Sequence, residues 1–272
     1  MKWLGRLLGT LLAITLTAIA VAWVTNGTTW NSDYVSKTAS DHAFYDKIAG
    51  ALPPVLIGPS ANGDQRYLLS QLITPSLVRN HLEGAIAGLQ RYYRDGGEPP
   101  RLDFSDVKLQ FDALHLTPPP LVATLIAAPV TLSNPAVDTV AQGASRKTAQ
   151  LLWLGPVAAT VLILIISVVT GRRRWSVLAG ASVGAVVLTA IAAGISLLVP
   201  GLATASLSTS VWGQLAPPVK NLGEAIAHDV SQRLLWWAVG FGIAAVLLGI
   251  GGLIAGATRK MRRHREKPTP AE

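Results

Sequence analysis

The fold is decided by residues 151–199, which read LLWLGPVAATVLILIISVVTGRRRWSVLAGASVGAVVLTAIAAGISLLV. Two apolar runs, residues 151–170 and 177–199, flank three consecutive arginines, and a third run follows at residues 234–257. None of these runs contains Asp, Glu, Lys, Arg or His. A helix rises about 1.5 Å per residue and the hydrocarbon core of a bilayer is about 30 Å thick, so about 20 apolar residues span it. Each run is therefore predicted to be a transmembrane helix.

The N-terminus supplies a fourth apolar segment behind a basic start. Lys2 and Arg6 come first, and residues 7–24 are apolar. A cleaved signal peptide is one interpretation of this arrangement. A retained signal anchor is favoured, because the segment is longer than a usual signal core and has tryptophans at both ends.

Tryptophans mark the ends of all four predicted spans. The amphipathic indole ring prefers the headgroup region of a membrane. Only Trp212 falls in a loop away from a predicted span. The other seven tryptophans are predicted to lie at the membrane interface: Trp3, Trp23, Trp30, Trp153, Trp175, Trp236 and Trp237.

Basic residues are distributed unequally between the two sides that four spans define. The side of the termini and the arginine hairpin carries 11 Lys and Arg against 2 acids, whereas the other side carries 12 against 13. The positive-inside rule therefore predicts that both termini are cytoplasmic and that residues 25–149 and 200–233 are extracytoplasmic. The basic residues are interpreted as topology signals, with binding of anionic lipid headgroups as the alternative: Arg172, Arg173, Arg174, Arg259, Lys260, Arg262, Arg263 and Arg265.

Composition supports the membrane prediction and indicates which classes of partner are not expected. Half of the 272 residues are hydrophobic and 14% are charged, which is too apolar for a soluble globule. The net charge of +8 lies entirely on the side of the termini, so it reflects topology, and nucleic acid is not expected as a partner. The chain has no cysteine, which favours a bacterial cell envelope over a disulfide-rich eukaryotic ectodomain.

The large extracytoplasmic segment is predicted to be mostly helical. A first helix is expected from a cap at Asn31 or Ser32 through Ile48, stopped by Gly50 and by Pro53-Pro54. A short helix behind an Asp64 cap is expected next. The clearest helix has Thr74 as N-cap, Pro75 at its first position and Gly96-Gly97 as terminator. Its predicted buried stripe is Val78, Leu82, Ala85, Ile86, Leu89 and Tyr93.

The last third of this segment, from residue 102 onward, fits more than one structure. Residues 102–116 fit a strand or a helix, and helix is favoured because no clear second strand is present to pair with one. Residues 121–132 are too short to span, so they are expected in the domain core or on the membrane surface. Asn134-Pro135 is typical of a helix start, and nothing breaks the chain from there to Trp153.

The smaller extracytoplasmic loop also contains a predicted helix that continues into a span. Val219, Leu222, Ile226 and Val230 recur at helical spacing and lead without a break into the last span. Two spans would then carry outward extensions that pack against residues 25–149. The two extracytoplasmic segments are therefore predicted to form one unit.

No group of residues in the sequence indicates a reaction or a cofactor. The last three spans lack ionisable groups, which argues against a proton-coupled or ion-conducting path within them. The motif Arg91-Tyr92-Tyr93-Arg94 is able to bind a phosphate or sugar, but is more simply a partly buried aromatic pair. Two acid and histidine groups have too few ligands for a metal site and are interpreted as solvated helix faces: Asp41, His42 and Asp46, and Glu224, His228 and Asp229.

Small residues in the spans are predicted to mediate helix packing. Glycines four residues apart allow two helix backbones to approach closely. Packing among the four helices of one chain is favoured, with a homo-oligomer as the alternative. The pairs that carry this prediction are Gly180 with Gly184 and Gly252 with Gly256, and Gly5 with Gly9 has the same spacing.

The sequence therefore predicts an all-α integral membrane protein with four transmembrane helices and a mostly helical extracytoplasmic domain between helices 1 and 2. The predicted segments are a signal anchor (1–24), the extracytoplasmic domain (25–149), helix 2 (150–171), a basic hairpin (172–175), helix 3 (176–199), an extracytoplasmic loop with an amphipathic helix (200–233), helix 4 (234–257) and a basic cytoplasmic tail (258–272).

The functional prediction is a non-enzymatic protein, without cofactor or metal, that binds or senses a membrane protein, lipid or wall component of the envelope. One alternative is a channel or transporter subunit. The other is an envelope enzyme acting at the outer membrane interface, for which five residues would have to meet in one cleft: Asp103, Asp106, Glu224, His228 and Asp229.

Overall fold

A computed structural model describes residues 2–57, 63–113, 115, 117–132, 135–202 and 213–265. Long helices dominate these residues, together with one short pair of strands. The helices of the first half are α1 (Lys2–Gly27), α2 (Ser32–Asp41), α3 (Phe44–Ile57), α4 (Gly63–Leu72) and α5 (Pro75–Asp95). They are followed by β1 (Arg101–Leu102), α6 (Ser105–Ala113), α7 (Pro120–Ala127), β2 (Val130–Thr131), α8 (Pro135–Thr170), α9 (Arg174–Ser196) and α10 (Ala216–Arg265).

Four helices are long and apolar enough to cross a membrane. The candidate spans are Trp3–Gly27, Asp138–Thr170, Arg174–Leu202 and Gly213–Thr258. This confirms the prediction of an all-α, multi-pass membrane protein. The assignment of the two sides stays a prediction.

The chain divides into two compact units. The first, the membrane unit, comprises Met1–Val24, Gln150–Ile195 and Ser231–Glu272. The second, the polar unit, comprises Thr25–Ala149 and Ser196–Val230. The two segments predicted to be extracytoplasmic thus fall in the same unit, although two candidate spans separate them in the sequence.

In the membrane unit, α1 packs against both α8 and α9. Leu8 and Leu12 of α1 share a buried cluster with Ala159 and Ile166 of α8 and Ala181 of α9. Leu12 is 2% exposed and Ile166 is fully buried. Lipid tails are as apolar as these side chains, so the helices are held together by close van der Waals packing with one another.

In the polar unit, α3 is the central helix. It contacts α2, α4, α5 and α7. The core that these helices enclose is Ala39, Phe44, Tyr45, Ile48, Ala49, Leu56, Leu69, Ile73, Val78, Val107, Phe111 and Val122, with Leu215 and Leu222 of the smaller segment packed against it. The polar unit therefore has a hydrophobic core of its own, to which both segments contribute.

Helix α5 begins and ends where its local sequence predicts. The Thr74 hydroxyl accepts a hydrogen bond from the Leu77 amide, and Pro75 is the first helical residue. Gly96 ends the helix with φ of 80°, a conformation that a residue with a Cβ adopts only at a cost. Val78 and Ala85, both on the predicted stripe, are buried.

The prediction of one helix from Asn31 through Ile48 is wrong. Asn31 does cap α2, but α2 ends at Asp41, and Ala43 has the left-handed φ of 51°. Helix α3 then continues past the predicted stop, with Pro53 and Pro54 inside it. Buried Val55 and Leu56 lie beyond the prolines, so packing of the apolar face offsets the backbone hydrogen bonds that the two rings remove.

The favoured helix in residues 102–116 is confirmed for Ser105–Ala113, and an unpredicted pair of short strands brackets it and α7 in the sequence. Arg101 and Leu102 form a two-residue antiparallel ladder with Thr131 and Val130. Helix α7 of the neighbouring apolar stretch contributes buried Val122 to the core, which fits the first of its two predicted positions.

Helices α8 and α10 are as continuous as the sequence predicts. Helix α8 has 36 residues and α10 has 50. Asn134, the predicted start of α8, lies outside the described residues. Between α8 and α9 the predicted hairpin is a single 3₁₀ turn, Gly171–Arg173, so α9 already begins at Arg174. The short helix expected behind an Asp64 cap is present, but it begins at Gly63, so Asp64 is its second residue and the predicted cap is wrong.

Candidate functional site

A hydrogen bond between distant residues joins the two segments of the polar unit. The Tyr34 hydroxyl on α2 donates to Asp229 Oδ2 on α10 at 2.7 Å, across 195 positions of sequence. Both groups are part-buried, so the bond is shielded from competing water. It holds the first turns of α10 against the helices of residues 25–149.

A second polar cluster surrounds a buried carboxylate on α8. Asp138 is 6% exposed. Its Oδ1 accepts from the Tyr93 hydroxyl at 3.2 Å, and its Oδ2 accepts from the Tyr92 hydroxyl at 3.4 Å. Trp30 meets the Tyr93 ring edge to face, with 6.1 Å between the ring centroids. We call Trp30, Tyr92, Tyr93 and Asp138 the tyrosine clamp; it fixes α5 to the beginning of α8.

The tyrosine clamp perturbs the acidity of Tyr93. Burial raises the pKa of the Tyr93 hydroxyl above its usual value, because the phenolate would lose water contacts. The hydrogen bond to Asp138 and the charge of that carboxylate raise it further. The neutral tyrosine, which donates to Asp138, is therefore the favoured form in the folded protein.

A third polar group lies on α3 and α5. The Arg79 Nε donates to Glu83 Oε1 at 2.8 Å, and the Tyr45 hydroxyl donates to the same oxygen at 3.4 Å. Burial, followed by the charge of Glu83, raises the pKa of Tyr45. The Arg79 guanidinium also lies over the Tyr45 ring, 5.9 Å from its centroid. This group secures the contact between the two longest helices of residues 25–95 in the polar unit.

The ionisable residues proposed for an enzyme site have separate partners. Asp106 Oδ2 lies 3.0 Å from His81 Nε2, and Asp103 accepts from the Ser105 amide. Asp229 accepts from the Tyr34 hydroxyl, as described above, and Glu224 Oε1 lies 3.7 Å from Lys220 Nζ.

In the part of the chain that the structure describes, no three His, Cys, Asp or Glu residues form a group able to hold a metal. Asp41, His42 and Asp46 are exposed.

The predicted interfacial tryptophans occupy two kinds of environment. Four have side chains exposed by 63% or more: Trp3, Trp23, Trp153 and Trp236. Trp30 belongs to the tyrosine clamp, Trp237 lies 5.8 Å from the Phe241 ring, and Trp175 packs against α10. The interfacial role of these residues stays a prediction.

The predicted packing glycines differ in their surroundings. A Cβ on Gly184 would lie 3.1 Å from Ala13 Cβ, and one on Gly252 would lie 3.1 Å from Trp175 Cβ. Gly180 and Gly256 have no such neighbour within 4 Å. The tightest approach in the membrane unit is at Gly155, where a Cβ would be 2.6 Å from Ile19 Cγ1. Only one member of each of these two pairs therefore makes a close contact, whereas a Cβ on Gly5 and one on Gly9 would both contact Val177, at 3.5 Å and 3.4 Å.

The predicted basic residues occupy the hairpin and the end of α10. Arg173 and Arg174 are exposed, and the Arg174 guanidinium lies over the Trp175 ring, 5.4 Å from its centroid. Arg172 belongs to the 3₁₀ turn. The remaining members lie in the last turns of α10: Arg259, Lys260, Arg262, Arg263 and Arg265.

Sequence reasoning missed both long-range hydrogen-bonded links of the polar unit. Tyr92 and Tyr93 stood out as a pair, but nothing local connects them to Asp138, 45 residues away. Asp229 stood out only as a neighbour of His228. The signal that was available is the position of Asp138 and Asp229 on amphipathic extensions of long helices, where an acid beside apolar residues needs a donor.

The fold defines an all-α, multi-pass membrane protein that also has a separately packed polar unit. Comparison of the chain with protein-family models, with curated proteins and with solved structures finds no match.

Proposed function

We propose that this is a non-enzymatic membrane protein of a bacterial cell envelope, whose polar unit faces the outside and binds a membrane protein, lipid or wall component there. One observation carries the proposal. The two segments between the spans fold around a single hydrophobic core, so they form a domain and are more than connections between helices.

The size of the polar unit supports a role beyond connection. It contains 125 residues of the first segment and 35 of the second. Helix–helix connections in compact bundles need only about 2–8 residues. Connecting four spans therefore accounts for little of this unit.

The internal order of the polar unit supports binding. Tyr34 to Asp229 and Tyr93 to Asp138 are hydrogen bonds between helices that lie far apart in the sequence. The first joins α2 to α10 and the second joins α5 to α8, and α2 also packs against α5. A surface that is ordered before it meets a partner loses less conformational entropy on binding.

Charge supports the outward orientation. The segments of the polar unit carry nearly equal numbers of bases and acids, whereas the hairpin, N-terminus and tail carry a large basic excess. Segments rich in Lys and Arg are retained in the cytoplasm during insertion. The non-enzymatic part of the proposal rests on the sequence, in which no catalytic motif is recognised.

Site-specific photo-crosslinking in the native host tests the proposal. A photoreactive amino acid is placed at exposed apolar positions on three helices of the polar unit: Tyr67, Leu109 and Val140, which are 66%, 69% and 72% exposed. We expect a discrete crosslinked species from at least one of them. Leu253, 76% exposed in the membrane unit, is the matched control and is expected to give lipid adducts only.

Two results would overturn the proposal. One is the lack of any adduct from the three polar-unit positions in a variant that is inserted and expressed normally. The other is solute flux across liposomes that contain the purified protein alone, since a transporter needs no envelope partner for that activity.

A further inference from the structure

The membrane unit brings its basic segments together at one end. Gly5 of α1 lies against the junction of α8 and α9, because a Cβ there would be 3.4 Å from Thr170 Cγ2 and 3.5 Å from Val177 Cγ2. Arg6, the next residue, is exposed. The basic start of α1 and the arginine hairpin are therefore neighbours within this unit.

Trp175 connects the hairpin to α10. A Cβ on Gly252 would lie 3.1 Å from Trp175 Cβ, and one on Gly251 would lie 3.5 Å from Trp175 Cζ3. A Cβ on Gly252 would press on Trp175, whereas one on Gly251 would only be in van der Waals contact with the indole, so the tryptophan packs closely on the helix at these glycines. The hairpin is held to α10 by this contact.

The same tryptophan orients an arginine. The Arg174 guanidinium carbon is 5.4 Å from the centroid of the Trp175 ring, within the range of a cation–π contact. The basic turns of α10 begin at Arg259, seven residues after Gly252 and so about 10 Å further along the helix axis. The hairpin arginines and the basic turns of α10 therefore belong to the same end of the unit.

The only acids in the sequence of this unit are Glu266 and Glu272, which lie beyond the described residues. Residues 2–24, 150–195 and 231–265 contain no Asp or Glu. Like charges at this density repel one another, so an anionic ligand would be stabilising. The apolar spans that adjoin the cluster place the phosphates of lipid headgroups at the level where the hydrophobic runs end.

We propose that the arginine hairpin, held against α10 by Trp175, forms a binding site for an anionic phospholipid. Arg173 and Arg174, which are both exposed, bind the lipid phosphate. A guanidinium presents two parallel N–H donors to a phosphate, which a diffuse positive field does not. The site is therefore more than a topology signal, and it is independent of the function proposed for the polar unit.

Lipid retention by the purified full-length protein tests this site. Native mass spectrometry from detergent is performed with added phosphatidylglycerol or, as the neutral reference, phosphatidylcholine. We expect the Arg173→Gln/Arg174→Gln variant to retain at least fivefold less phosphatidylglycerol than the unmodified protein. Arg263→Gln/Arg265→Gln removes the same charge from the same end, and we expect it to reduce retention by less than twofold.

Two further measurements, on a Lys variant and with free phosphate, distinguish a lipid site from a general attraction between charges. Arg173→Lys/Arg174→Lys preserves the charge and the topology signal but removes the forked donors, and we expect a severalfold loss of retained lipid. Inorganic phosphate at millimolar concentration is expected not to displace the lipid. The site is overturned by equal losses in the two Gln variants, by equal retention of neutral lipid, by full retention in the Lys variant, or by displacement with free phosphate.

Discussion

Tyr93 is the residue whose chemistry the structure changes most clearly, because burial and Asp138 both raise the pKa of its hydroxyl. A group whose pKa is raised on folding contributes stability at pH values below its unfolded pKa. That contribution is lost as the pH rises through the folded pKa, here above the usual value of 10.0. We expect absorbance titration at 295 nm to show that Tyr93→Phe removes a phenol that ionises in this alkaline range.

The same substitution also tests the hydrogen bond at neutral pH. Tyr93→Phe keeps the ring and leaves Asp138 with one donor fewer, so we expect a loss of about 1–3 kcal/mol in the free energy of unfolding. Tyr67→Phe, at a side chain that is 66% exposed, is expected to change it by less than about 0.5 kcal/mol. Equal effects of the two substitutions would contradict the role assigned to the clamp.

Ala43 stores backbone strain between α2 and α3. Its φ of 51° is unfavourable for a residue with a Cβ by about 1–2 kcal/mol, whereas glycine adopts it freely. Part of that gain is offset by the greater freedom of glycine in the unfolded chain, so we expect Ala43→Gly to stabilise the protein by about 0.5–1 kcal/mol. Thermal unfolding in detergent measures the change.

A glycine substitution inside α3 provides the comparison for Ala43. Ala51→Gly lies in the helical part of α3, where glycine costs about 1 kcal/mol, so we expect a lower melting temperature. If Ala43→Gly lowered the melting temperature as much, the break between α2 and α3 would not be where the structure has it.

At the scale of the helix, alanine substitutions at two glycines of α5 distinguish the effect of tertiary packing from that of intrinsic helix propensity. A Cβ on Gly88 would lie 2.7 Å from Pro100 Cβ, a ring atom with little freedom to move, whereas Gly84 has no such neighbour within 4 Å. We expect Gly88→Ala to destabilise the protein by about 1–3 kcal/mol through overpacking. Gly84→Ala should stabilise it by about 1 kcal/mol, because alanine is the better helix former.

The two glycines form a matched pair, since they lie one turn apart on the same helix and receive the same methyl group. Their melting temperatures should therefore move in opposite directions from that of the unmodified protein. A rise for both would mean that the segment of Pro100 does not pack on α5 as described.

Helix boundaries were predictable where the signal is local. Thr74, Pro75 and Gly96 act within one turn of the helix ends that they determine, and α5 begins and ends there. The end of α2 carries no such signal, because Ala43 is not a residue type that favours a left-handed φ. Helix α3 passes Pro53 because the apolar side chains beyond it find a core, and that core depends on residues elsewhere in the chain.

At the scale of the whole molecule, the spans followed from length and apolarity alone, whereas the links inside the polar unit did not. A bilayer imposes its thickness on every span, so residues 151–170 and 177–199 are recognisable without knowledge of their neighbours. The Tyr34 to Asp229 hydrogen bond depends on how two segments 195 residues apart fold together. Its partners have no periodicity or spacing that would connect them in advance.

Sidedness is the property on which the proposed function depends most, and the chain is suited to measuring it because it has no cysteine. Leu109→Cys places a thiol at an exposed position of the polar unit, and Arg173→Cys places one at an exposed position of the hairpin. With a membrane-impermeant maleimide, we expect labelling of the first in cells whose inner membrane is intact. The second should react only after that membrane is permeabilised, because the arginines are expected to retain the hairpin in the cytoplasm.

Ile166→Cys, at a fully buried position of the membrane unit, is the control that should remain unlabelled in both conditions. Labelling of Arg173→Cys in intact cells, with Leu109→Cys unreactive, would place the polar unit in the cytoplasm and overturn the outward orientation in the proposed function.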